Sequence, residues 1–327
     1  MAASTFYDQI GANRRNSVLL AVAVVAILCA LGFSIGYALT GSATGGLGAT
    51  LIAAAIGVVM SLGSYFGGDQ LVLAASGAKE IDPATEPQLQ NVVTEMALAA
   101  NVPPPKIYLI DDTAPNAFAT GRDPRHASLA ITTGLLEKLD REELQGVIGH
   151  EMSHVRNLDI RFSLIVGVLV GSIALLSDFF LRFTWFGGGR RSSNDRDGGG
   201  GGALQMVMMV VAIVLAVLAP IAARFVQLAV SRQREYLADA SSVELTRNPA
   251  GIERALAKIA SDKEVLEVAN RATQHLYFTN PIKKFEERSS NLFSTHPPIV
   301  ERINRLRELT GERPLGQTEL AALANLD

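Results

Sequence analysis

The sequence is short of charge, and the shortage is concentrated in one segment. Charged residues make up 19% of the 327 residues, against about 25% in an average soluble domain. No Asp, Glu, Lys or Arg occurs between Arg15 and Asp69. The surface of a soluble domain cannot be built from so long an uncharged stretch, so this absence excludes a purely soluble protein.

Cysteine and positive charge are scarce as well. The chain has a single cysteine, Cys29, which excludes a framework of intramolecular disulfides. Its formal net charge is -3 at pH 7. Proteins that bind nucleic acid carry basic surfaces, so this balance predicts no nucleic-acid partner.

The sequence is rich in long apolar stretches. A helix needs about 20 apolar residues to cross the hydrocarbon core of a bilayer. Four stretches have about that length: 17–39, 47–66, 162–180 and 203–223. The Gly-rich turn between the first two makes them a predicted transmembrane hairpin. A cleaved signal peptide is the alternative for the first stretch, but its apolar run exceeds the usual h-region of about 7–15 residues.

These stretches divide the chain into four predicted parts. They are an N-terminal transmembrane hairpin, the first part of a catalytic domain, a second hydrophobic hairpin with a Gly-rich loop at 186–202, and the second part of the catalytic domain. Their bounds are 1–68, 69–161, 162–230 and 231–327.

The distribution of arginine predicts the orientation. Arg14 and Arg15 precede the first stretch, and positive charge marks the cytoplasmic side of a membrane protein. Both termini and both polar parts are therefore expected in the cytoplasm. Several arginines of the loop between the third and fourth stretches oppose this orientation, among them Arg190 and Arg191. They leave a re-entrant second hairpin open as an alternative.

The most specific motif lies on a helix predicted at residues 140–157. Asp140 and Glu143 form a helix-start signal that resembles a capping box, and apolar residues then recur at spacings of three and four. The helix carries His150-Glu-Met-Ser-His154. A spacing of four places both imidazoles on one face, which suits two ligands of one tetrahedral zinc ion. Glu151 lies beside that face, where it can take a proton from water.

A third ligand has to come from another part of the chain. Just after the fourth apolar stretch, Glu235 and Asp239 are four residues apart and share a helix face. One carboxylate can ligate the metal while the second orients a ligand histidine through its other ring N–H. A solvated acidic face is the alternative interpretation of this pair.

The order of these motifs resembles that of the HtpX-type membrane zinc metalloproteases, and more distantly that of the CAAX prenyl proteases. The similarity covers nearly the whole chain and includes the segments 115–121, 149–155, 235–239 and 294–297 between and after the hydrophobic pairs. It implies a zinc endopeptidase of the inner membrane that takes part in stress response and protein quality control. Its expected substrates are misfolded or damaged membrane proteins, cleaved in segments exposed to the cytoplasm near the bilayer.

The resemblance also implies roles for individual residues. His150, His154 and Glu235 would hold one Zn2+ per chain, Glu151 would be the general base, and Asp239 would support a ligand. Three further residues would act on the substrate: Asn116 and Arg302 by binding it, and His296 by donating to the developing oxyanion. By itself, Asn116 could equally be a turn residue, and a lone histidine is most often a surface or packing residue.

The predicted fold is α+β and mostly helical. It combines about four transmembrane helices with a cytoplasmic zincin-like domain of helices, a small β-sheet and the HExxH helix. Short strands are predicted at 106–110, 116–120 and 127–132. A CAAX-type processing protease and an inactive zinc-binding scaffold are the alternative functions. The CAAX-type proteases have more membrane spans than the four apolar stretches of this chain. An inactive scaffold would have no need for Glu151 as a base. No sequence feature indicates an oligomeric state.

Overall fold

Helices make up most of the structure. The computed structural model describes residues 6–186, 201–262, 297–316 and 319. The helices are α1 (Phe6–Thr40), α2 (Ala43–Ala75), α3 (Pro87–Ala99), α4 (Thr133–Lys138), α5 (Arg141–Arg156), α6 (Asp159–Phe186), α7 (Gly201–Thr246), α8 (Pro249–Ser261) and α9 (Ile299–Thr310). The strands are β1 (Lys79–Glu80), β2 (Lys106–Ile110), β3 (Ala117–Gly121) and β4 (Ala127–Thr132). The prediction of a mostly helical chain with a small sheet is confirmed.

The strands form one mixed sheet in the order β1-β2-β4-β3. β2 and β4 run parallel, with Tyr108 opposite Ala130, whereas β3 runs antiparallel to β4, with Ala119 opposite Leu129. The three predicted strands are confirmed, and β3 starts one residue later than expected. Because β3 lies at an edge of the sheet, one side of its backbone pairs with no other strand in the described part of the chain.

Helix α5 is almost entirely buried. It begins with the predicted capping box, in which the Glu143 N–H donates to Asp140 Oδ1 and the Asp140 N–H donates to Glu143 Oε2, each at 2.9 Å. The apolar residues that recur along the helix are all buried: Leu144, Val147, Ile148, Met152 and Val155. They pack in a core with residues of α3, α8 and the sheet. This packing fixes the rotation of α5 and therefore the direction of its two histidines.

A glycine allows α5 and α7 to approach closely. A Cβ atom on Gly149 would lie 3.0 Å from Ser242 Oγ, and the Ser242 hydroxyl donates to the Gly146 carbonyl oxygen at 2.5 Å. Asp239 and Glu235 precede Ser242 by three and seven residues and so lie on the same face of α7. The close contact therefore directs both carboxylates towards α5.

The chain divides into two compact units. One unit comprises residues 1–64 and 165–227, and the other comprises residues 65–164 and 228–327. All the residues of α3, α5, α8 and the sheet belong to the second unit.

In the first unit, α1 and α2 pack through small residues. A Cβ atom on Gly36 would lie 2.5 Å from both the Gly45 carbonyl oxygen and Ala49 Cβ. Only glycine at this position allows the two helices to approach so closely. The side-chain amide of Gln205 donates to the Ala38 carbonyl oxygen at 3.1 Å, which joins α7 to the same hairpin.

One helical segment of the described chain is long and apolar enough to cross a membrane. It is Ala203–Ala223 of α7, which has 21 residues and a mean hydropathy of 2.8. Shorter apolar segments are Val25–Thr40 of α1 and Ala43–Val59 of α2. The structure therefore supports the fourth predicted span by length and composition, and the prediction of four spans stays a prediction.

Candidate active site

The two histidines of α5 face each other across one helical turn. Their ring centroids are 4.7 Å apart, and the distance between the Nε2 atoms of His150 and His154 is 3.1 Å. The His150 side chain is almost completely buried, and that of His154 is 14% exposed. Residues four apart on a helix are neighbours on one face, which explains the short distance between the rings.

Helix α7 brings a carboxylate to the same point. Glu235 Oε1 lies 3.5 Å from His154 Nε2, and Glu235 Oε2 lies 3.8 Å from His150 Nε2. One ligand atom from each of the three residues lies within 4.8 Å of the others. A tetrahedral ion with bonds of about 2.0–2.1 Å holds its ligand atoms about 3.3 Å apart. The distances and the donor types therefore fit a zinc ion.

The other nitrogen of each imidazole is bonded to a buried aspartate. His150 Nδ1 lies 2.9 Å from Asp239 Oδ1, and His154 Nδ1 lies 3.0 Å from Asp159 Oδ2. An ionised carboxylate accepts hydrogen bonds but cannot donate them, so the Nδ1 atom of each ring carries a proton. This leaves Nε2 of each histidine as the atom that could bind a metal ion.

Burial and neighbouring charges shift the pKa values of the two histidines in opposite directions. Burial lowers the pKa of His150 to about 4, although Asp239 acts against this shift. Burial also disfavours the charged form of His154, but hydrogen bonds to Asp159 and Glu235 outweigh burial and raise its pKa to about 10. A metal ion that binds at His154 Nε2 would therefore compete with a proton for this atom.

Glu151 joins the helix of the histidines to the edge of the sheet. Its Oε2 atom accepts a hydrogen bond from the backbone N–H of Ala119 in β3, at 2.8 Å. The residue is 2% exposed, and burial raises its pKa to about 7. A carboxylate with a pKa near neutral both takes up and releases a proton readily, as a general base in peptide hydrolysis must.

Comparison with known proteins identifies the family. Residues 83–310, which contain all of the residues described above in this site, match the profile of Peptidase family M48. The chain belongs to peptidase family M48.

Relatives of this M48 peptidase are similar over nearly their whole length. The "Protease HtpX homolog" of Streptococcus gordonii is 45% identical over 303 residues, which are 93% of this chain and 99% of that protein. The proteins of the same name from Streptococcus mutans and Levilactobacillus brevis are each 46% identical, with the same coverage. This M48 chain is therefore a metalloprotease. The crystal structure of S. mikatae Ste24p matches 76% of this chain and 56% of that chain, with 18% sequence identity and a TM-score of 0.45.

Asn116 of the M48 peptidase is buried at the start of the edge strand. Its backbone N–H donates to Thr132 Oγ1 at 2.9 Å, and its side-chain Oδ1 accepts from the Ala117 N–H at 3.0 Å. It therefore directly precedes the strand that reaches Glu151 and is bonded to the end of β4. His296, the predicted oxyanion donor, lies outside the described residues, as does most of the Gly-rich loop at 186–202.

Arg302, a predicted substrate contact, lies beside Asp239 in the structure. Its side chain is 0% exposed, and its Nε and Nη2 atoms donate to Asp239 Oδ2 and Oδ1 at 2.9 and 2.6 Å. Helix α9 turns Arg302 to the interior together with Ile303 and Leu306. In this position Arg302 holds the aspartate that is bonded to His150, and its predicted contact with the substrate stays a prediction.

Sequence reasoning missed Asp159 and its neighbour Arg234. Asp159 is the first residue of α6 and is the only carboxylate between Glu151 and Asp178 in the chain. Its isolation near a predicted ligand histidine is a usable signal in the sequence. Arg234 precedes Glu235 directly, and its guanidinium Nη1 lies 3.7 Å from Asp159 Oδ1. No comparable pattern points to that pairing.

Proposed function

We propose that this M48 protease is a membrane zinc endopeptidase in which His150, His154 and Glu235 hold one zinc ion. One observation carries the proposal. Both Nε2 atoms and a carboxylate oxygen converge on one point, while each Nδ1 atom is bonded to an aspartate. Three protein ligands with an open fourth position are typical of catalytic zinc sites.

Glu151 is the proposed general base. Bound zinc would polarise the scissile carbonyl and activate a water molecule. The Glu151 carboxylate takes the proton of the attacking water and passes it to the leaving amine. The Ala119 N–H orients this carboxylate, and burial raises its pKa, which favours uptake of the proton. Asp239 orients His150 through Nδ1, and Arg302 holds Asp239.

The edge of β3 is the proposed binding surface for the substrate. An extended peptide can add to a sheet edge through backbone hydrogen bonds, with little demand on its side chains. Because Ala119 of this strand contacts the general base, a peptide alongside β3 would pass the catalytic carboxylate. Asn116, at the start of the strand, is proposed to contact the peptide. His296 is proposed, on the family resemblance alone, to donate to the oxyanion.

This binding mode supports a role in protein quality control. Recognition through the backbone tolerates varied sequences, so misfolded or damaged membrane proteins are the proposed substrates. Cleavage would take place in segments of these proteins that are exposed to the cytoplasm.

The chain is proposed to cross the inner membrane four times, as two hairpins in parts 1–68 and 162–230. The two remaining parts and both termini would then lie in the cytoplasm, an orientation favoured by the arginines before the first span. Large apolar side chains are exposed on α2 and α7, among them Leu51 at 71%, Val59 at 68% and Met206 at 72%. Contact of such large apolar surfaces with water is unfavourable, so lipid would cover them.

Cysteine labelling tests this topology. In a Cys29→Ser background, we expect Ser192→Cys and Gln88→Cys to react with a membrane-impermeant thiol reagent from opposite faces of sealed vesicles. Gln88 is exposed near the start of α3, and Ser192 belongs to the Gly-rich loop. Permeabilised vesicles should label at both positions, which controls for reactivity. Labelling of both from one face of sealed vesicles would contradict four spans and favour a re-entrant second hairpin.

Metal removal tests the proposed chemistry. Protein purified in detergent is expected to contain zinc and to digest casein, because the three ligands and the base are all present. A chelator should remove both the metal and the activity, and added zinc should restore both. Metal content is measured by atomic emission and casein digestion by release of soluble peptides. Digestion that continues after the metal content has fallen to background would contradict a zinc endopeptidase.

A further inference from the structure

We propose that Asp159 is a positioning residue for His154, and that Arg234 holds Asp159 in that role. The inference rests on the proposed function, since it takes His154 to be a zinc ligand. It gives the second histidine of the HExxH motif a support of its own, comparable to the one that Asp239 gives to the first.

The two oxygens of Asp159 have different partners. Oδ2 lies 3.0 Å from His154 Nδ1, and Oδ1 lies 3.7 Å from Arg234 Nη1. The side chains of Asp159 and Arg234 are only 6% and 7% exposed. A carboxylate buried to this extent is destabilising without an opposite charge nearby. The guanidinium supplies that charge while the other oxygen accepts the imidazole N–H.

Arg234 also contacts an aromatic ring. Its guanidinium carbon lies 3.9 Å from the centre of the Phe162 ring, which is the geometry of a cation–π contact. It also precedes Glu235 directly in α7. Asp159 therefore contacts one ligand of α5 and the neighbour of the ligand from α7. A displaced Asp159 would alter the orientation of the His154 ring.

The support of His154 is looser than that of His150. Asp239 accepts two hydrogen bonds from Arg302, at 2.6 and 2.9 Å, whereas Asp159 makes a single contact of 3.7 Å with Arg234. Replacing Asp239 would remove the carboxylate that accepts both hydrogen bonds from the fully buried guanidinium of Arg302. Asp159 is therefore the better position at which to separate the orientation of a ligand from the stability of the fold.

Zinc affinity and a cobalt spectrum test the proposal in Asp159→Ala, Asp159→Asn and the control Asp112→Ala. Affinity is measured on the full-length protein by competition with a chromophoric chelator, and Co2+ in place of zinc reports ligand geometry by its visible absorption. We expect Asp159→Ala to weaken zinc binding about 10- to 100-fold and to shift the cobalt bands, because the His154 ring is no longer oriented. Asp159→Asn should lose less zinc affinity than Asp159→Ala, since the asparagine amide oxygen can still accept the Nδ1–H of His154.

The control variant, Asp112→Ala, removes a buried aspartate that is not part of the proposed metal site. Asp112 is 8% exposed and accepts a hydrogen bond from the Ala114 N–H at 2.9 Å. Its replacement should lower thermal stability without changing zinc affinity or the cobalt bands. An equal loss of zinc affinity in Asp112→Ala would overturn the proposal by showing that the effect is unspecific.

Two further results would overturn it. One is unchanged zinc affinity and unchanged cobalt bands in both Asp159 variants. The other is failure of both variants to fold, because Asp159 would then be a structural residue. A wild-type protein that binds no zinc would contradict the proposed function instead, so the two failures are distinguishable.

Discussion

A Glu151→Gln variant is expected to lose casein hydrolysis by about 10²- to 10⁴-fold while its zinc content stays unchanged. The three proposed ligand atoms belong to other residues, so metal binding is left intact. The amide oxygen of glutamine can still accept the Ala119 N–H that holds the side chain in place. An amide cannot take up the proton of the attacking water, and this is the one function that the substitution removes.

The matched control for this variant is Glu142→Gln on the same helix. The Glu142 side chain is 59% exposed, and its Oε2 accepts from Arg254 at 3.0 Å and from Asn248 at 3.1 Å. Casein hydrolysis and zinc content should both match those of the wild type. If Glu151→Gln hydrolysed casein at the wild-type rate with the same metal content, Glu151 would not be the base.

Glu235→Ala is expected to have the second large effect, the loss of the metal itself. The substitution removes one of three protein ligands, so its cost should exceed the about 10- to 100-fold loss in affinity that follows from removal of an outer partner. Hydrolysis should fall with the zinc content. The measurement is zinc per chain by atomic emission after dialysis, together with the rate of casein digestion.

Glu244→Ala provides the comparison within α7. Its carboxylate is 46% exposed and pairs with Arg156 at 3.4 Å, without contact to either histidine among the interactions described. This variant should keep both zinc and activity. Zinc content at the wild-type level in Glu235→Ala would show that the third ligand comes from another residue.

Local patterns in the sequence predicted the elements that carry the site. The capping box at Asp140 and the apolar spacing that follows it define α5, because both are interactions between residues close in the chain. The strands follow from short β-rich runs. The pairing of Glu235 with Asp239 follows from helical periodicity, which places residues four apart on one face.

Contacts between distant elements could not be predicted in the same way. Asp159 and Arg234 meet because the first turn of α6 lies against α7, and no spacing in the sequence specifies which acid reaches the Nδ1 of a given histidine. The contact of Arg302 with Asp239 was not predicted either, because the rotation of α9 is set by Ile303 and Leu306, which pack inward beside it. Burial of a charged residue depends on such packing and is not visible in composition.

The order of the proposed ligands along the chain decides when a complete metal site could form during synthesis. His150 and His154 emerge from the ribosome first, and Glu235 follows only after α6 and the apolar segment of α7 have been made. Until then the nascent chain offers a metal ion two imidazoles and no carboxylate from α7. The partner of His150, Asp239, arrives at the same late stage. A growing or truncated chain that ends before α7 would therefore carry the HExxH helix without the proposed third ligand.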